Sequence, residues 1–187
     1  MLTGDLLIRW TIRIAMLLYA LTICGQLATV RLPATSNSWR TSRWLWTLGS
    51  LVFLSHVIAA FHFHHHWNHA HAIAETAEET RATIGWAFGE GIYFSYLFTL
   101  LWLADVAWWW LSAISYRSRP LWISLTIHIY LFFIAINGTV VFESGVVRTG
   151  GIVVSVVFAL LVARCLAIKT SNTESKLSES KPSGEVE

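Results

Sequence analysis

Seven of the chain's eight histidines fall between His56 and His71. The densest run is Phe61-His62-Phe63-His64-His65-His66-Trp67-Asn68-His69-Ala70-His71. Neutral imidazole nitrogen is a ligand for Zn, Cu, Ni and Fe, so such a tract is a compositional pointer to a divalent transition metal. No Gly or Pro interrupts the chain between Gly49 and Gly85, and Ala and Glu, good helix formers, fill the part after Ala70. The expectation is one long helix that runs unbroken through the histidines, with Asn68 its weakest point. Residues three, four and seven apart then share a face. That gathers His62, His65, His66 and His69 into one stripe. His64 and His71 fall on the other side with Glu75 and Glu78, and His71 with Glu75 makes a second ligand pair four residues apart. One straight helix cannot surround an ion, so further ligands are expected from Glu90 and Glu143, at the same end of neighbouring apolar runs. Two plainer readings stand beside metal binding: a pH-responsive or headgroup-contacting helix, and a tract with no special role.

Isolated ionisable groups within apolar runs are the second set of candidates, because a charge in hydrocarbon is costly and usually faces a partner on another helix. His56, Glu90, Asp105 and His128 qualify. A short connection between the third and fourth runs makes them antiparallel neighbours, which brings Asp105 and His128 to similar depth and predicts a hydrogen-bonded pair. The pair would either relay protons or hold two helices together. His56 and His128 are also each the lone mid-depth histidine of their run, the arrangement a bis-histidine haem b requires.

The elements that must position these groups are apolar. Hydrophobic residues make up 55% of 187 residues and charged ones 13%, with 11 Trp and a net charge of +2. About a quarter of an ordinary soluble domain is charged, so a disordered chain, a nucleic-acid binder and an ordinary soluble enzyme are excluded. Five runs approach the roughly 20 apolar residues needed to cross a bilayer, at about 12–30, 44–63, 86–111, 121–142 and 151–168. The fold class predicted is all-α: an integral membrane helix bundle of five spans, or four if the first segment is cleaved or lies in the interface. That segment has signal-peptide features, and Cys24 sits where a lipidated cysteine would, but Ile23 before it is too large for that cleavage pattern. Cys24 and Cys165 both lie in apolar runs and read as small buried hydrophobes rather than a disulfide.

Lys and Arg concentrate on the cytoplasmic side of membrane proteins. Arg31, Arg40, Arg43, Arg117, Arg119, Arg164 and Lys169 share one side, against Arg9, Arg13, Arg81 and Arg148 on the other. This puts the histidine segment on the extracytoplasmic side of the cell membrane, although Arg9 and Arg13 oppose it. Residues 169–187 turn abruptly to Ser, Glu and Lys and read as a disordered cytoplasmic tail.

The elements His65-His66-Trp67-Asn68-His69-Ala70, Gly85-Trp86, Gly91-Ile92-Tyr93, Tyr96-Leu97-Phe98, Trp102 to Asp105 with Trp108-Trp109-Trp110, and Asn137 to Phe142 cover about half the chain. Together they resemble a pattern found in uncharacterised bacterial multi-pass membrane proteins, a resemblance that implies no activity. The leading functional expectation is a multi-pass membrane protein with a metal-binding histidine cluster at its outer face, in metal handling or an accessory role. The alternatives are a membrane oxidoreductase or b-type cytochrome with metal or haem between helices, and a non-catalytic scaffold or assembly subunit. The expected partners are the lipid bilayer and a membrane-protein partner or second copy of the chain, with no nucleic acid.

Overall fold

The computed structural model describes residues 2–29, 36–141 and 145–179. Glu143 and residues 180–187 lie outside them. The described residues form seven α-helices and no strand: α1 (Leu2–Thr29), α2 (Ser36–Phe63), α3 (His69–Ile84), α4 (Ile92–Leu111), α5 (Ala113–Ser118), α6 (Leu121–Ile136) and α7 (Gly145–Glu179). Five segments are long and apolar enough to cross a membrane: Gly4–Gln26, Asn37–Phe63, Gly89–Leu111, Trp122–Val141 and Val147–Arg164. The first begins well before Ile12, because Leu6, Leu7 and Ile8 extend the apolar run and Asp5 suits the positive end of the helix dipole. The all-α bundle thus matches the fold class read from composition.

α1 and α2 pack antiparallel. Gly4 lies against Phe63, the Ile8 carbonyl accepts from His56 Nδ1 at 3.0 Å, and Tyr19 meets Trp46 with ring centroids 5.6 Å apart. One end of the bundle therefore carries the histidines, and the opposite end carries Arg40, Arg43, Arg117 and Arg119. The interior is aromatic: Tyr19, Trp46, Phe53, Phe98, Trp102 and Trp109 form a continuous buried cluster. Leu17, Leu51, Leu100, Ile129 and Leu160 stand exposed on the outside. A surface of this kind suits hydrocarbon as its solvent, since water would penalise each of these side chains.

α7 packs Phe158 on Phe132 at 4.0 Å, and its Arg148 side chain donates to the carbonyls of Val140 and Val141. These carbonyls belong to the π-helical turn Asn137–Val141 that ends α6. Past its apolar stretch α7 stays helical through the polar residues as far as Glu179. A helix already nucleated extends at little cost through residues of middling propensity.

The one long helix expected through the histidines does not form. α2 stops at Phe63, and His66 (φ 48°) and Trp67 (φ 59°) take left-handed conformations that no right-handed helix accommodates. Asn68 then caps a new helix, its side chain accepting from the His71 N–H at 3.2 Å. α3 is closed by Gly85 (φ 79°), whose N–H returns to the Arg81 carbonyl. It is held down by Thr80, which accepts from the Phe88 N–H at 2.8 Å. Gly89 sits beneath α3 where a Cβ would come within 2.6 Å of the Ile73 carbonyl oxygen. Asn68→Ala is expected to cost about 1 kcal/mol through loss of the cap, read as a lower unfolding midpoint in detergent micelles. An unchanged midpoint would show that α3 does not start at this residue.

Candidate metal centre

The break between α2 and α3 redistributes the histidines. His65, from the turn, is folded back against the first turns of α3, where His71 and Glu75 project four residues apart from one helical face. His65 Nδ1 lies 3.5 Å from His71 Nδ1 and 3.1 Å from Glu75 Oε2, and His71 Nδ1 lies 3.7 Å from that oxygen. These three residues form the group of potential metal donors found among the described residues. An ion bound at about 2.0–2.2 Å by tetrahedrally arranged donors holds them roughly 3.3–3.6 Å apart. The observed edges bracket that span.

Glu75 Oε2 is enclosed, and the groups that face it are the ring nitrogens of His65 and His71. A carboxylate oxygen enclosed beside neutral ring nitrogens that act as acceptors is unfavourable, and a cation seated among the three donors would satisfy it. His64 supports the cluster from outside, 3.7 Å from Glu75 Oε1 and 3.3 Å from Asp5 Oδ1, which ties α1 to the site. Burial pushes the His65 pKa down, Glu75 opposes this, and His71 and His64 add to it. The neutral imidazole so favoured is the form that ligates metal.

The stripe expected from a continuous helix is not assembled. His62 lies exposed, with its ring against Phe63, and His66 is exposed. His69 is taken by α4, its ring nitrogens 3.0 Å from the Tyr96 hydroxyl and 3.3 Å from that of Tyr93. Glu90 is exposed in the 3-10 turn Gly89–Gly91 and does not join the group. The pair His71 and Glu75 is brought together as the four-residue spacing requires. His65 joins it only because the helix breaks. His64 lies beside Glu75, the side on which helical spacing places it, whereas Asp5 lacks any sequence signal that would mark it as a support.

Asp105 and His128 are near one another but share no hydrogen bond. The Asp105 carboxylate, 1% exposed, accepts from Trp46 Nε1 at 2.9 Å and from the Tyr116 hydroxyl at 2.9 Å, and pairs with Arg119. The short helix α5 folds the chain back and delivers Tyr116 and Arg119 to it. Burial, then the Asp105 charge, hold the Tyr116 phenol well above its ordinary range, with Arg119 opposing, so the hydroxyl remains a donor. His128 instead sets its ring 5.6 Å from that of Trp46, and its Nδ1 is buried without a hydrogen-bond partner. The network is a clamp between α2, α4 and α5.

The axial haem pair is not assembled either. His56 is held against Ile8, whereas His128 packs at Trp46, ten residues along α2, or roughly 15 Å at 1.5 Å per residue. Among protein-family models, curated proteins and solved structures, none matches this chain.

Proposed function

We propose that this chain is a multi-pass membrane metalloprotein that holds one divalent transition ion between His65, His71 and Glu75, in metal handling or an accessory role. The observation that carries the reading is the convergence of three donor atoms, with the enclosed Glu75 Oε2 faced by His65 Nδ1 at 3.1 Å and His71 Nδ1 at 3.7 Å. Two imidazoles and a carboxylate suit borderline ions such as Zn²⁺, and three protein donors leave a coordination position open. The concentration of Arg40, Arg43, Arg117 and Arg119 at the opposite end supports an extracytoplasmic centre.

The same donor set favours a second reading. Two histidines and one carboxylate with open positions is also the ligand pattern of non-haem Fe²⁺ oxygenases. An iron-loaded centre would make the protein a membrane oxidoreductase.

Titration of the full chain in detergent micelles with Co²⁺, which reports its ligand field in the visible spectrum, tests the proposal. The expected result is visible bands that saturate at one equivalent per chain and are displaced by Zn²⁺. A spectrum identical to aqueous Co²⁺ at all ratios would contradict it. Native iron in anaerobically purified protein would select the second reading.

A further inference from the structure

Beneath the histidine end, walled by parts of α1, α2, α3, α4, α6 and α7, lies a cavity of about 1040 Å³. Proteins hold small organic ligands in clefts of roughly 300–1,000 Å³. Met16, Phe53, Phe98 and Phe132 are among its walls, so its depth is apolar. Its walls extend from Ala20 on α1 to His65, Glu79 and Thr80 at the histidine end.

Among the described residues, one Arg or Lys stands on this wall, and it is Arg13. Arg13 lies nine residues after Gly4 in α1, roughly 13 Å along a membrane-spanning helix. A guanidinium stays charged in any protein environment. At such depth it is costly unless it faces an opposite charge or a polar cavity. Arg13 takes part in none of the ion pairs among the described residues, and its neighbour is the Trp10 ring, 5.8 Å away. Among the described residues, the one carboxylate on the same cavity is Glu79. Glu79 is exposed at the surface; partial burial, then the nearby Glu75, push its pKa up, with His64 opposing. The cavity therefore offers a hydrocarbon-like interior with an exposed guanidinium on its wall that no carboxylate pairs among the described residues.

We propose that this cavity binds a single-chain anionic amphiphile of the fatty-acid class, its hydrocarbon chain among the aromatic walls and its carboxylate on Arg13. A guanidinium and a carboxylate form paired, charge-assisted hydrogen bonds, stronger than neutral ones. A long-chain fatty acid has about 20 non-hydrogen atoms and is of the size such clefts hold. The proposal goes beyond the metal reading and does not depend on it.

The test uses the full chain in detergent micelles, with a fluorescent polyene fatty acid as probe and palmitate or hexadecanol as competitor. Palmitate is expected to displace the probe from one site per chain, and hexadecanol to do so at least about tenfold more weakly. Arg13→Gln should weaken palmitate about ten- to hundredfold and leave hexadecanol unchanged, while Arg13→Lys keeps the preference for the acid. Ala60→Phe and Ser155→Phe, which fill the cavity from α2 and α7, should weaken both competitors. His71→Ala, at a donor that is not on the cavity wall, should abolish metal uptake but not palmitate binding, so the two readings fail separately. The proposal is overturned if Arg13→Gln keeps the wild-type preference for palmitate. It is equally overturned if both cavity-filling variants, with wild-type melting profiles, bind the probe as wild type does.

Discussion

Asp105→Ala is expected to destabilise the bundle by about 3–5 kcal/mol, the usual consequence of leaving a buried charge without its partner. Arg119, with a side chain only 6% exposed, would keep its charge and lose the carboxylate that neutralises it. Trp46 Nε1 and the Tyr116 hydroxyl would lose their acceptor in the same step. Asp105→Asn should cost less, since an amide oxygen still accepts from both. Asp105→Leu combined with Arg119→Met should recover much of the loss, because replacing both charges removes the desolvation penalty together with the attraction. Unfolding in a denaturing-detergent titration measures all three. A change below about 0.5 kcal/mol for Asp105→Ala would mean that the clamp between α2, α4 and α5 does not hold the arginine end together.

The second large effect is expected at the metal centre. Glu75→Ala removes the single carboxylate among the three donors and should lower Zn²⁺ affinity at least about 100-fold, more than loss of an outer supporting group usually costs. Glu78→Ala, three residues on and 75% exposed, should leave affinity within about twofold, since surface charges act weakly through solvent. Calorimetric titration with Zn²⁺ in detergent distinguishes them. Equal losses in the two variants would show diffuse electrostatic attraction instead of coordination.

These two sites show what a sequence of this kind discloses. Depth was legible: the spacing of Asp105 and His128 from the ends of their runs placed them at nearly the same level, and both do meet Trp46. Rotation about the helix axis was not. Helices that are apolar all round carry no polar face to set which side turns inward, so nothing in the runs told Asp105 to face Trp46 and the returning Arg119. Arg119 stood out only as one of the basic residues on its side of the membrane, because α5 is too short for a periodic pattern to announce its inward turn.

In the histidine segment, the pairing of His71 with Glu75 followed from helical spacing, and Asn68 was identifiable as the point of weakness because Asn favours caps over helix interiors. The break itself was hidden. Ala and Glu on its far side favour helix, and it depends on His66 and Trp67 adopting positive φ, a conformation few residues other than Gly take and no local signal marks. That one turn decides which imidazoles converge. It removes His62, His66 and His69 from the expected stripe and swings His65 onto α3.

Metal content, measured on three proteins purified in detergent, exposed to excess Zn²⁺ and washed free of loose ion, tests that convergence most directly. One Zn per chain is expected in the wild type, one per chain when His62 and His66 are both changed to Ala, and none when His65 and His71 are both changed to Ala. No zinc in the wild type, or loss of zinc in the His62 and His66 variant with retention in the His65 and His71 variant, would contradict it.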